Sequence, residues 1–365
     1  MRLRAIDWLR GLAIALMTVD HAGGRFDAGH MHADDARRWV VGSALPAGEF
    51  LTRWITHLCA PTFVMLAGAS LALSDEKRRG DPGQTRFIVT RGLLIAALDP
   101  LWMSLGFGNM GYNRLIFQVL YAIGASMVCM AGLRRLPSSA LLAGGIGIQF
   151  AGELTKLVHP SAQPWQALWA FLFVGGEVGR AVCAYPLVPW LSFMMIGWAL
   201  GRWLLVPQPR GSRVRVLMLG SAGLLALFVL VRGIDGYGNW DLHRDSSSVL
   251  QWLHVSKYPP SVSYGGLELG IALLVLAAFV AIDDPEQPRV AFAGLGLLGG
   301  TAFFYYVIHV HLMRAAEAVL GLDRHVAGLA KTWGAAAVVL VLLLAPCAWW
   351  RWYKRAHPDG WTRYV

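Results

Sequence analysis

Asp7, Arg10, Asp20 and His21 interrupt one apolar stretch near the start of the chain, DWLRGLAIALMTVDHAGG. Histidine changes charge near neutral pH, so in acyl transfer it acts as a general base or as a nucleophile. Arginine holds anions through a rigid fork of donors. On a helix, the eleven positions from Arg10 to His21 return the side chains to within about 20° of each other, after about 16 Å of rise. Asp7 stands one turn before Arg10, where it can pair with the guanidinium. The pattern sets a cation at one end of a helix face and a titratable base at the other. An interfacial Asp7–Arg10 pair with His21 capping the helix would use the same residues. Asp20 points about 100° away from His21 on such a helix, which makes it a poor orienter of that ring.

The elements that carry these residues are membrane spans. The chain has 365 residues, 56% of them hydrophobic and 15% charged, against about 25% charged in soluble domains. Mean hydropathy is +0.49. Apolar runs near the length that crosses about 30 Å of hydrocarbon recur along the sequence. Ten spans are expected, at roughly 5–22, 53–73, 87–106, 114–132, 137–152, 185–206, 214–232, 261–282, 294–320 and 332–350. The stretch WQALWAFLFVG, 165–175, is too short to cross. The fold class is therefore all-α and polytopic, a single domain over 1–365 with about ten helices around a polar passage. Arg10 breaks the first apolar run and no A-x-A site follows, so that segment reads as an uncleaved helix.

Lys and Arg concentrate in SDEKRRGDPGQTR, LRRL, VPQPRGSRVR and RWYKRAHPDGWTRYV. By the positive-inside rule these segments and both termini are cytoplasmic. The longer segments 23–52, 153–184 and 233–260, rich in His, Trp, Tyr, Gly and Pro, then fall on the opposite face. The net charge of +10 is explained by this anchoring and gives no reason to invoke nucleic acid.

Further polar residues lie in or beside the spans. Cys59, Cys129, Cys183 and Cys347 form no C-x-x-C pair and read as small hydrophobes. His309 and His311, in FFYYVIHVHLMR, are two apart and face different directions on a helix, so they make no metal pair, and no metal site is expected. Arg10, Arg86, Arg91 and Arg202 stand near the expected cytoplasmic side, where an anionic cofactor would want cations. KYPPS leads into the eighth span, and its Lys257 and Tyr258 suit either acceptor binding or interfacial anchoring. Glu268 and Asp99 lie inside spans and are further candidates for a polar passage.

Arg, ten residues, His resembles the first-helix motif of transmembrane acyltransferases that modify sugars. More specifically, the chain resembles the bacterial branch of the heparan-alpha-glucosaminide N-acetyltransferase catalytic-domain family. The resemblance is carried by LRAIDWLRGLAIALMTVDHAGG, LTRWITHLCAPTFVMLAGASL, TRGLLIAALDPLW, YPLVPWLSFMMIGWALGR, VSKYPPSVSYGGLELG and FFYYVIHVHL, in order over most of the chain. It implies an integral protein of the bacterial inner membrane that moves an acetyl group from cytoplasmic acetyl-CoA to an amino sugar or other glycan outside, with no metal. By the same resemblance His21 is the catalytic histidine, assisted by Arg10 and Asp7. Arg10, Arg91 and Arg202 then bind the coenzyme, while Asp20, His30, Lys257, Tyr258 and His309 bind the acceptor. A homodimer is compatible with it. The chain departs from the lysosomal member, which has Asn-Tyr before its glycines and a later histidine, so His30 or His32 is an alternative base. Direct transfer and an acetyl-histidine both remain open, as does a transporter using the same polar residues as a relay.

Overall fold

The computed structural model describes residues 3–108, 114–158, 160–284, 290–358 and 360–364. Its helices are α1 (Arg4–Phe26), α2 (Ala47–Ile55), α3 (Cys59–Lys77), α4 (Gln84–Leu98), α5 (Ser104–Phe107), α6 (Val119–Leu133), α7 (Ser138–Ala151) and α8 (Gln163–Trp169). They continue with α9 (Leu187–Leu204), α10 (Arg210–Ile234), α11 (Val249–Leu253), α12 (Val262–Ile282), α13 (Ala293–Gly300), α14 (Ala302–Leu320) and α15 (Leu329–Ala356). Each of the ten expected segments is largely helical, but the one at 114–132 opens with a short strand, Leu115–Phe117, before its helix starts at Val119.

Among the described residues six helices are long and apolar enough to cross a bilayer, or seven if a bent pair is one span. α1 has the length, at 23 residues, but carries Arg4, Asp7, Arg10, Asp20 and Arg25. α6 and α7 have 15 and 14 residues. The expected continuous span over 294–320 is instead broken, with an 80° bend between residues 290–300 and 302–320. Gly299, Gly300 and Thr301 stand at the break, where two glycines lower the barrier to leaving the helix.

Local sequence explains where the helices begin and end. Pro137, Pro186 and Pro209 stand immediately before α7, α9 and α10, supplying extended backbone and no orphan N–H. The Ser261 hydroxyl caps α12 by accepting from Tyr264 N at 3.0 Å. Gly321 closes α14 in the left-handed conformation at φ 62°.

α1 lies at the centre. Ala5, Leu9, Ala13, Ile14 and Ala22 are fully buried, and α1 packs on α3, α12, α13, α14 and α15. Protein rather than lipid therefore surrounds its charges. The approach to α13 is close: a Cβ at Gly299 would stand 1.8 Å from the Asp7 carbonyl, and one at Gly11 would stand 2.1 Å from the Leu295 carbonyl. Only glycine fits at either point.

Three long connections form a layer over one end of the bundle. Lys257 N and Tyr258 N both donate to Asp34 O, at 2.9 and 3.2 Å, joining the loop after α1 to the segment before α12. Arg37 donates to Val174 O at 2.9 Å, and Lys156 reaches Asp241 at 2.6 Å, which ties in the third connection. A small sheet, β1 (Leu115–Phe117), β3 (Ala181–Cys183) and β2 (Gly176–Val178) in that spatial order, lies in the same layer.

Candidate active site

One face of α1 meets the broken α13–α14 element three times. Arg10 Nη1 donates to Gly299 O at 3.0 Å, Thr18 and Tyr305 hydroxyls are 2.7 Å apart, and His21 Nδ1 lies 2.6 Å from His309 Nε2. At 100° per residue Thr18 stands about 80° round from Arg10 and about 60° from His21, so the three contacts spread over one side of α1.

At the Arg10 end is a cavity of about 260 Å³. Arg10 is held at its rim by Asp7, at 3.1 Å, and donates to Ser70 Oγ at 2.8 Å. Arg91, Ser74 and Lys354 also line the cavity, and Arg91 Nε is buried with no hydrogen-bond partner among the described residues. Gly299, Gly300, Thr301 and Ala302 complete this polar wall. The irregular backbone thus lines a cavity, which is where it is tolerated at membrane depth. The opposite wall is apolar, with Phe63, Phe87, Ile123 and Met127 among its residues. A cationic rim over an apolar pocket accommodates a phosphate-bearing molecule with an apolar arm.

Tyr306 closes the cavity toward the other end. It lines the cavity, and its ring meets the His21 ring edge-on, with centroids 6.2 Å apart. His21 stacks on His309 at 4.9 Å, with the rings 12° from parallel, and Phe107 covers another edge. His309 is fully buried, and its Nδ1 donates to the Tyr306 carbonyl at 2.7 Å. A carbonyl only accepts, so the His309 proton is on Nδ1, and Nε2 of the neutral ring accepts from His21 Nδ1–H. The lone pair of His21 is then on Nε2. His311 points elsewhere, against Trp102 at 4.3 Å.

Beside His21 is a buried ionic cluster. Asp20 pairs with Arg53 and accepts from Thr56 Oγ1 at 2.9 Å. Arg53 donates to Asp34 at 2.7 Å, and His57 Nε2 lies 3.2 Å from Asp34 Oδ2. Burial alone raises the Asp34 carboxyl, but Arg53, His57 and Lys257 together outweigh it and bring the carboxyl well below the usual range. Asp20 therefore faces Arg53 and not His21.

The other expected residues divide into those near this centre and those apart from it. His30 folds back over the end of α1: a Cβ at Gly23 would stand 3.2 Å from its Nδ1. It meets His32 edge-on at 5.1 Å, and burial followed by Arg53 lowers its pKa to about 4. Lys257 is 2% exposed, with Nζ 5.1 Å from the Tyr258 ring centre, and the Tyr258 hydroxyl is 3.3 Å from that of Tyr185. Arg91 joins Arg10 at the cavity. Arg202 is not among the cavity-lining residues and pairs with Glu76 at 2.6 Å; Arg86 is not there either. Asp99 accepts from Gln118 N and Tyr121 N, at 2.8 and 2.7 Å, and so holds the start of α6. Glu268 is buried, with one carboxylate oxygen lacking a hydrogen-bond partner among the described residues. Among the described residues no group of three or more His, Cys, Asp or Glu is arranged to hold a metal ion.

Ser70, Tyr306 and the Arg53–Asp34–His57 cluster have no place in the sequence reading. Arg53, within LTRWITHL, carried a usable signal: a charge at the start of an apolar run. Tyr306, one of four consecutive aromatic residues, carried none.

The family model for heparan-alpha-glucosaminide N-acetyltransferase, catalytic, matches residues 2–230. The chain belongs to this family. Membership makes it a membrane acetyltransferase, in keeping with its apolar helices. The match covers α1 to most of α10, including Arg10, His21, Arg53 and Arg91. Lys257, Tyr306, His309 and Lys354 of this N-acetyltransferase family member lie beyond it. A comparison with curated proteins finds no match.

Proposed function

We propose that the protein transfers an acetyl group from acetyl-CoA, bound in the cavity at the Arg10 end, to an amino sugar or other glycan at the His21 end. The observation that carries this reading is Tyr306, a single side chain that walls the cavity and touches the His21 ring. Arg10, Arg91 and Lys354 would hold the phosphates of the donor, and the apolar wall its thioester arm. The basic segments at that end support a cytoplasmic donor, and hence an acceptor on the far side of a bacterial inner membrane.

His21 Nε2, with its lone pair, takes the proton from the acceptor amine or hydroxyl. The acceptor nitrogen or oxygen then bonds to the acetyl carbon, the carbon–sulfur bond breaks, and the sulfur leaves as thiolate to be protonated. The same lone pair would serve if His21 accepted the acetyl group first. His309 fixes the tautomer in either route. The buried Lys257 ammonium and the Tyr258 hydroxyl are suited to acceptor hydroxyls or carboxylates. The Asp20–Arg53–Asp34 cluster sets the electrostatic surroundings of the acceptor.

The test is to incubate the purified protein with isotope-labelled acetyl-CoA and a panel of glycans, and to identify products by mass spectrometry. Acetylated glycan and free coenzyme are expected. If acetyl-CoA is neither consumed nor raises the Tm, the reading falls and a transport role takes its place.

A further inference from the structure

A second cavity, of about 480 Å³, lies in the loop layer away from the His21 centre. Trp169, Trp240, Gln163, Gln166, Arg37 and Glu177 are among its walls. All three long connections contribute: Arg37 from the loop after α1, Gln163 to Glu177 from the second, and Trp240 from the third. The volume is within the roughly 300–1,000 Å³ of small-molecule sites.

We propose that this cavity binds a neutral saccharide unit of the acceptor, one remote from the unit that is acetylated. The proposal rests on the acetyl-transfer reading and deepens it: the acceptor is an oligosaccharide rather than a single sugar. A pyranose ring has apolar C–H faces and a hydroxylated edge. Tryptophan supplies a rigid apolar face, while glutamine, arginine and glutamate supply donors and acceptors for hydroxyls.

Charge argues for a neutral ligand. Arg37 is paired with Asp35 at 3.0 Å, Lys156 with Glu153 at 2.9 Å and Asp241 at 2.6 Å, and Glu177 with Arg38 at 3.0 Å and Arg114 at 2.6 Å. Each of these charged wall residues already has an opposite charge, so an ion would have to break a pair to bind. Trp240 and Asp241 are successive non-glycine residues in the left-handed region, at φ 54° and 58°. Such strain is retained where surrounding structure holds it, commonly at ligand sites.

One short segment links the wall of this cavity to the ionic cluster beside His21. Arg37 lines the cavity and binds Asp35; the neighbouring Asp34 binds Arg53, which binds Asp20 beside His21. Asp34 and Arg37 are three residues apart, at most about 11 Å along the chain. The proposal seats one ring of the glycan in this cavity and its terminal amino sugar at His21.

The experiment compares glucosamine with a tetrasaccharide that has one terminal glucosamine followed by N-acetylated units. Acetylation kinetics are measured for the wild type, Trp169→Ala, Trp240→Ala and the surface variant Gln166→Ala. Binding of the tetrasaccharide without acetyl-CoA is read from tryptophan fluorescence. The expected result is a wild-type KM at least about tenfold lower for the tetrasaccharide than for glucosamine. Trp169→Ala or Trp240→Ala should remove that advantage while leaving kcat and the glucosamine KM unchanged. Gln166→Ala should weaken it even if both Trp variants fail to fold. Equal KM values for the two acceptors, or no saturable binding of the tetrasaccharide, would overturn the subsite while leaving acetyl transfer standing. Saturable, Gln166-dependent binding with no acetylation of either sugar would uphold the subsite and defeat the transfer reading.

Discussion

The two ends of α1 both gather arginines and carboxylates, yet they do different things with them. At the His21 end, Asp20, Arg53, Asp34 and His57 bond mainly to one another and occupy their own space. At the Arg10 end, Arg10 and Arg91 line open volume, Arg10 is paired with Asp7, and Arg91 Nε has no hydrogen-bond partner among the described residues. The ionic cluster fixes geometry through its Asp20–Arg53–Asp34 pairs, although Arg53 Nε and Asp34 Oδ1 are themselves buried with no hydrogen-bond partner among the described residues. The cavity at the Arg10 end keeps open space beside its cations, which a ligand of the proposed kind would fill. The same side-chain chemistry thus fills space in one region and borders open space in the other.

The largest expected effect cuts between the ends. His21→Ala should reduce acetyl transfer by about 10²- to 10⁴-fold, the usual share of a general base, while Tm and acetyl-CoA binding hold. Full activity in that variant with His30→Ala dead would move the base into the loop. Arg53→Met tests the closed region: an uncompensated Asp20 and Asp34 should lower stability by about 3–5 kcal/mol, seen as a large fall in Tm. A small change would mean that water or neighbours already satisfy the carboxylates.

Arg91→Ala tests the open region. Loss of a charged hydrogen bond to donor phosphate should raise the acetyl-CoA KM by about 10- to 100-fold, with Tm unchanged. A drop in Tm without a change in KM would make Arg91 structural. The smallest effect concerns the loop layer. His254, whose Nε2 lies 2.7 Å from Ala33 O, has its pKa lowered to about 4, chiefly by burial. It is neutral when folded, and the unfolded chain takes up its proton first as pH falls. Its stabilisation is present above about pH 6.5 and is lost on acidification toward 4, about 2 kcal/mol between pH 7 and 5. Melts of wild type and His254→Asn over that range should converge as pH falls.

Much of this arrangement was legible in the sequence. Helical period alone joined Arg10 to His21, and apolar length marked the helical segments. The motifs reached the family because LRAIDWLRGLAIALMTVDHAGG and its companions occur in order. What was not legible depended on contacts between distant segments. Nothing in the local pattern of Asp34 announces Arg53, which is nineteen positions later. Arg202 had the charge and the side expected of a coenzyme ligand, but Glu76 lay within reach and took it. The broken span over 294–320 was within reach of the sequence, since LGLLGGTAFF sets a Gly-Gly pair followed by a threonine inside an apolar run.

Because Tyr306 both lines the Arg10 cavity and meets the His21 ring, the two ends of the proposed reaction are a single side chain apart. Under that reading, cargo as small as a two-carbon fragment would pass while the carrier stays on its own side. Swinging halves of the bundle, of the kind a solute pump needs, would be unnecessary. Two compartments would then exchange a chemical group while the permeability barrier stays closed.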